Sequence, residues 1–222
     1  MTNTLSAPQV SDVLRRLFAA ADEQERREPL APPPAGTAET RSALERALAY
    51  QDRFMPVSAA GGKLLYSLVR AIRPETVVEF GTSFGISTIF LAAAVTDNGT
   101  GRVLTTELST EKAEAARSNL RQAGLDAPVT ILAGDARQTL ASVAGPIGLV
   151  LLDGWKDLCL PVLRLLEPEL APGALIVADD NKFVSMAEYL SYVRDPASNY
   201  VSVDFPVEDG MEISSWTGAP AS

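Results

Sequence analysis

Five acidic residues and one lysine stand where a chain can put them to chemical use. Glu79, Glu107, Asp153, Asp179 and Asp180 lie at or just past the ends of short apolar runs, and Lys156 sits in the LLDGWKD segment immediately after one of those runs. If the runs are neighbouring strands, Asp153, Asp179 and Asp180 emerge together. Carboxylates that close repel and raise one another's pKa unless a cation lies between them. A hard divalent ion is the natural partner, because Mg²⁺ takes oxygen ligands and keeps positions for water and substrate; Mn²⁺ and Ca²⁺ are the alternatives. The plainer reading is that Asp179 and Asp180 cap a helix while Asp153 bonds loop amides. The chain has no histidine, which excludes imidazole bases and histidine metal sites. Any base is therefore lysine, carboxylate, tyrosine or water. Lys156 is the candidate base, against the ordinary fate of a solvated lysine; an adjacent divalent cation would lower its pKa.

The elements that must position these groups follow from periodicity. Val10, Val13, Leu14, Leu17 and Phe18 recur at helical spacing, and a break at Pro29, Pro32, Pro33 and Pro34 separates that helix from a second over about 37–53. A third helix over Gly62–Ile72 leads into alternation: strands at Thr76–Phe80, Arg102–Thr106, Pro128–Leu132, Ile147–Leu152 and Ala174–Ala178, with helices between and a last helix over Val184–Val193. That rhythm predicts an α/β, doubly wound parallel sheet with helices on both faces. Tyr200–Val203 and Glu212–Trp216 are strand-like and joined by the short turn PVEDG, so they are expected to pair antiparallel at the far side of the sheet. Residues 1–54 are expected to form a helical extension, a cover for the site, a dimer contact or a solvated appendage, and residues 55–222 the catalytic domain.

The first strand is apolar up to Phe80 apart from Glu79, and Gly81 and Gly85 bracket a tight turn into a helix near Ile86. A dinucleotide loop shows G-x-G-x-x-G, whereas this one reads G-x-x-x-G with an acid two residues ahead. An anionic side chain disfavours pyrophosphate and suits a ligand that is cationic. S-adenosyl-L-methionine fits, with its sulfonium and ammonium and no phosphate. Glu107 ends the next strand, where a carboxylate can accept ribose hydroxyls; it could equally favour the dipole of the helix beginning near Thr110. Asp135, before Ala136 at the third strand end, stands where adenine would lie, or caps the next helix.

Composition sets the bounds. With 222 residues and 46% hydrophobic content, one α/β domain with a full core is the expectation. A net charge of −9 and a pI near 4.6 argue against nucleic-acid or anionic-membrane partners and point to a small-molecule substrate. The single cysteine, Cys159, forms no internal disulfide and suits a reducing compartment. No run is long enough to span a bilayer, and the start lacks a signal peptide's pattern. The expected location is the cytoplasm.

From about Met55 to Trp216 the chain resembles the class I S-adenosylmethionine-dependent methyltransferases, and more narrowly the cation-dependent O-methyltransferases of the catechol and caffeoyl-CoA type. MPVSAAGGKLL, EFGTSFGIST, LLDGWKD and LIVADDN carry the resemblance in order. It implies a seven-stranded sheet with the last strand antiparallel, and cofactor contacts at Val57, Glu79, Gly81, Ser83, Gly85, Ser87, Glu107, Asp135, Ala136, Asp153 and Trp155. It further implies a metal held by Asp153, Asp179 and Asp180, Lys156 as base, and a homodimer. Departures accompany it. The family's Asp-Asn pair is Asp179-Asp180 here, or Asp180-Asn181 after a one-residue shift. A histidine beside the adenine in the catechol enzyme is Gly154. The acid that accepts a proton from the second hydroxyl falls near Pro206, with Glu208 or Asp209 as partial substitutes. Trp155 is a wall of the methyl-transfer pocket or a buried anchor. The leading function is methyl transfer to a hydroxyl of a small aromatic or secondary-metabolite acceptor. The alternatives are metal-free transfer to nitrogen, carboxylate or carbon, a cofactor-binding module without turnover, and a nicotinamide dehydrogenase.

Overall fold

In the computed structural model the described residues are 3–30, 41–207 and 209–218. Pro32, Pro33 and Pro34, the start of the second expected helix and Glu208 lie outside them. The elements run α1 (Pro8–Arg27), α2 (Ala43–Ala49), α3 (Ala59–Ile72), β1 (Thr76–Phe80), α4 (Ile86–Asn98), β2 (Arg102–Glu107), α5 (Thr110–Ala123), β3 (Val129–Ala133), α6 (Ala136–Thr139), β4 (Ile147–Leu152), α7 (Cys159–Leu166), β5 (Leu170–Ala178), α8 (Ala187–Arg194), β6 (Tyr200–Phe205) and β7 (Met211–Trp216).

The strands form one sheet of seven in the order β3-β2-β1-β4-β5-β7-β6. β1 to β5 pair in parallel, and β7 runs antiparallel between β5 and β6. Winding reverses between β1 and β4, the switch point where such sheets open a crevice at their carboxyl ends. One face is covered by a core that includes Leu65, Val69, Ile89, Leu91 and Leu120. The other is covered by Leu140, Val162, Leu163, Leu166 and Tyr189. α1 is no loose appendage: Val10, Val13, Leu14 and Leu17 belong to the first of these cores.

Three elements differ from the sequence reading for local reasons. The helix expected over 37–53 is described only as α2, whose start is fixed by a capping box of Ser42 and Glu45 and which ends at Tyr50. β5 begins at Leu170 rather than Ala174, its early part hidden in sequence by Pro172 and Gly173, where the pairing with β4 shifts register. The last helix opens as a 3₁₀ turn, Val184–Met186, before continuing as α8.

Register is what assembles the site. Phe80 is level with Thr106 and Leu152, and Leu152 with Ala178. The next residue of each strand therefore emerges in one row: Gly81, Glu107, Asp153, Asp179. Backbone bonds extend the row past the strands, from Asp153 N to Phe80 O at 2.9 Å and from Asp179 N to Leu152 O at 3.1 Å. Gly81 has φ +105°, and a Cβ there would meet the Asp153 carbonyl oxygen at 2.6 Å and Gly154 N at 2.8 Å. Both contacts are backbone and neither can swing aside. Gly81→Ala is expected to cost about 2 kcal/mol or more in urea unfolding, from the left-handed backbone alone before any clash. An unchanged unfolding midpoint would show that the two loops are not locked together.

Candidate functional site

The β1–α4 loop is a braced turn. Gly81 and Gly85 take positive φ, and so does Ser83, at φ +47°, unusual for a residue with a side chain. Its amide donates to Glu107 Oε2 at 2.7 Å, and Ser109 N donates to Oε1 at 2.8 Å. Glu107 is thus held by two backbone amides and aimed across the loop, with an acceptor lone pair left on each oxygen. Thr82 and Thr105 share a buried hydroxyl bond of 2.6 Å beneath it.

Glu79 is fully buried. Thr88 Oγ1 donates to its Oε2 at 2.6 Å, while Oε1 has no partner among the described residues. Burial pushes its carboxyl above the usual range, offset only in part by the hydroxyls of Ser87, Thr105 and Thr88. A carboxylate enclosed in this way is suited to a cationic or hydrogen-donating ligand and costly without one. Ser87 is buried beside Glu79, Val57 is buried in the first core, and Ala136 opens α6. Asp135 caps α6 through Arg137 N at 2.9 Å and pairs with the Arg137 guanidinium. Those bonds hold its pKa below the ordinary value. The Asp135 side chain thus caps α6.

At the other half of the row, Asp153, Asp179 and Asp180 each offer an oxygen within 4.8 Å of the others. Lys156 Nζ lies 3.0 Å from Asp153 Oδ1 and 3.0 Å from Asp180 Oδ2. Burial raises the Asp153 carboxyl to about 6 and that of Asp179 to about 8, opposed by the Lys156 charge. Burial would lower Lys156, but the carboxylates of Asp153 and Asp180 overcome it and hold the ammonium well above its ordinary range. Three carboxylates against one ammonium leave two negative charges when all are ionised. The donor set fits a divalent cation held by oxygen.

Asn181 follows this group, and its Oδ1 is buried with no partner among the described residues. Its Nδ2 donates to Asp204 at 2.9 Å and Glu212 at 3.3 Å, and Asp180 turns the chain at φ +56°. Asp179 and Asp180 both lie in the group with Asp153. Gly154 also has a physical reason, since a Cβ there would lie 2.4 Å from the Phe80 ring. The ring occupies the space that a larger side chain would need. Pro206 and Asp209 are exposed.

Several contributors escaped sequence reasoning. Phe54 stacks on Phe84 of the loop, centroids 4.1 Å apart, and buried Lys112 lies 5.4 Å over the same ring. Burial lowers the Lys112 pKa against the charges of Glu107 and Asp52. Arg46 of α2 lies over Trp155. Only Thr88 left a signal, a polar residue inside the otherwise apolar run that opens α4; the others depend on contacts between distant segments.

Residues 78–181 match a family model described as a methyltransferase domain. The chain is 31% identical over 191 residues to catechol O-methyltransferase B of Danio rerio, spanning 80% of this chain and 71% of that protein. It is 38% identical over 143 residues to the catechol O-methyltransferase of Mycobacterium tuberculosis, spanning 62% of this chain and 64% of that one. Among solved structures, cofactor-bound Rv0187 from MTB aligns at TM-score 0.67 and 29% identity over 84% of this chain and 98% of its own. The O-methyltransferase TomG from Streptomyces achromogenes, in complex with SAM, shares the fold at TM-score 0.68 and 23% identity, over 92% and 99%. No helix among the described residues is long and apolar enough to cross a membrane.

The raised carboxyl pKa values carry a sign. Between the ordinary value of 3.8 and the raised values of about 6 for Asp153 and about 8 for Asp179, the folded protein binds more protons than the unfolded chain. Stability of the ligand-free protein therefore falls as pH rises from about 4 to about 8. The raised Lys156 pKa adds stability throughout that window and loses it only at higher pH. Urea unfolding in EDTA across this range is expected to show the decline, with Asp179→Asn flattening it. A wild-type profile that rises toward pH 8 would contradict the burial of these acids.

Proposed function

This chain belongs to the class I S-adenosylmethionine-dependent O-methyltransferases of the catechol and caffeoyl-CoA type, and we propose that it methylates a hydroxyl of a small aromatic acceptor beside a divalent cation. The observation that carries the reading is the row of acids in register at the switch point, with Lys156 set between Asp153 and Asp180.

The two ends of the row have different tasks. Glu107, oriented by the amides of Ser83 and Ser109, accepts the ribose hydroxyls of the cofactor. Glu79, with one oxygen unpartnered among the described residues, offers a buried anion that places the positively charged methionine end. Gly81 and Gly85 let the backbone approach. Asp153, Asp179 and Asp180 would hold the cation, Mg²⁺ first among the candidates, which when bound supplies Lewis-acid charge that lowers a phenolic hydroxyl from its ordinary pKa of about 10. Lys156 is placed to take the hydroxyl proton, provided its own ammonium is first discharged; its present ion pairs oppose that, and a cation among the carboxylates would weaken them. Trp155 bounds the acceptor on the side of α2. The sulfonium methyl then passes to the acceptor oxygen, the C–S bond breaking as the C–O bond forms. The carbon–sulfur electron pair stays on sulfur, leaving neutral S-adenosylhomocysteine.

A metal-free transfer to nitrogen, carboxylate or carbon is the competing account, and calorimetry separates them. S-adenosylmethionine is expected to bind in EDTA, and an ester of dihydroxycinnamic acid only after Mg²⁺ or Mn²⁺ is added. Asp153→Asn is expected to lower kcat by about a hundredfold or more, as loss of a group acting on the reacting oxygen does, while cofactor Kd changes less. Lys156→Met is expected to lower kcat and remove the rise of rate with pH that deprotonation of the base produces. Turnover indifferent to EDTA and to Asp153→Asn would leave the metal-free account standing.

A further inference from the structure

α2 is only seven residues long, and its outer positions Leu44 and Leu48 are exposed. What ties it to the site is Arg46, 7% exposed. Its Nη1 donates to Asp157 Oδ1 at 2.7 Å and its Nη2 to Oδ2 at 3.0 Å, a two-pronged pair that fixes the plane of the guanidinium. That plane lies over the Trp155 ring, with Cζ 4.8 Å from the ring centre. Tyr50, one turn on, reaches the same indole at 6.0 Å and 48°, and Arg41 lies 5.4 Å over Tyr50. Arg46 thus grips the residues on both sides of Lys156, the indole before it and the carboxylate after it. Its Nε is buried and without a partner among the described residues. A guanidinium that is desolvated and incompletely bonded is a poor way to stabilise so short a helix. What the arrangement does secure is the orientation of Trp155.

We propose that Arg46 is a positioning residue for the methyl acceptor. By fixing Trp155 as a flat wall beside the acidic cluster and holding α2 as its cover, it favours planar aromatic acceptors over aliphatic diols. The role in acceptor choice rests on the methyl-transfer reading above; the grip on Trp155 does not.

The chain has two tryptophans, Trp155 and Trp216, so acrylamide quenching of fluorescence, with Trp155→Phe as baseline, reads the exposure of Trp155 in the free protein. Arg46→Ala is expected to raise that quenching about twofold. It should also raise KM for an aromatic vicinal diol about tenfold, the size of a lost stacking and bidentate contact. Expected kcat stays within about threefold and Kd for S-adenosylmethionine within about twofold. Arg46→Lys, which keeps the charge without the planar fork, falls between. If Arg46→Ala unfolds, Asp157→Asn removes part of the grip without emptying the space and is expected to shift the same readings in the same direction. Unchanged quenching overturns the proposal, as does a cofactor Kd that rises in step with acceptor KM. If the wild-type protein transfers no methyl group to any hydroxyl acceptor, the methyl-transfer reading falls and the acceptor role of Arg46 with it, while quenching still decides whether Arg46 holds Trp155.

Discussion

The structure depends on the concentration of desolvated negative charge along one edge of a sheet. Parallel pairing at fixed register puts Glu107, Asp153 and Asp179 in one row, with Glu79 buried just behind it. A row of apolar residues would make a more stable edge, because an ionised carboxylate out of water costs several kcal/mol unless it is paired. The chain meets part of that cost with its own groups: backbone amides on Glu107, Thr88 on Glu79, Lys156 between Asp153 and Asp180. The remainder is left for ligands that are themselves positive. The same deficit underlies both parts of the proposed function, a sulfonium cofactor at one end of the row and a divalent cation at the other.

Such a row works only if the loops carrying it cannot relax away from one another, and the bracing comes from outside the strands. Gln24 of α1 donates to Asp52 O at 2.7 Å and accepts from Phe54 N at 2.7 Å, clamping the segment that leads into α3. Phe54 in turn stacks on Phe84, whose carbonyl accepts from Asn119 at 2.9 Å. Asn119 is itself held by Arg16 of α1 at 2.8 Å. The N-terminal helix is thereby coupled to the cofactor loop from two directions. On the opposite side, Glu212 is buried and bonded by Arg194, Ser202 and Asn181, which anchors the chain immediately after Asp180.

Legibility in the sequence followed the range of the forces involved. The limits of β1 and β4 are plain in sequence because both are buried strands written as continuous apolar runs between turn residues. The acids at their ends are equally plain, since a charge closing such a run has few roles. Asp135 carries two readings in sequence because capping and ligand binding want the same residue at the same place, and its pair with Arg137 is a contact that no motif announces. Asp180 and Asn181 have similar propensities, and the groups that hold the Asn181 amide nitrogen, Glu212 and Asp204, lie some thirty and twenty positions away, where no local pattern records them. Phe80 against Gly154, Phe54 against Phe84 and Arg46 against Trp155 are pairings across the fold that no local pattern records.

The two halves of the site are built from material of different rigidity. The acids belong to strand ends whose backbone bonds continue into the loops, so their spacing is a property of the sheet. Outside the ladder lie α2, the Lys182–Met186 turn and the turn near Pro206, the segments proposed for the acceptor side. Phe183 and Val184 are exposed there, Val184 at 92%, and Lys182 reaches Asp204 across the gap. None of these segments shares the ladder that fixes the acids; the stretches around the two turns are joined instead by the backbone bond from Asn181 N to Gly210 O at 3.0 Å. Changes in them alter what fits beside Lys156 without moving the acids, whereas a change at Gly81 or Gly154 meets backbone or the Phe80 ring at once. The spacing of the acids is thus set by the strand register, and the segments proposed to shape the acceptor pocket stand outside it. The turn that begins at Pro206 carries Glu208 and Asp209 in sequence, with Asp209 exposed. The departures from the catechol pattern fall on both halves, at Pro206 in this turn and at Gly154 against the Phe80 ring, where a Cβ would find no room.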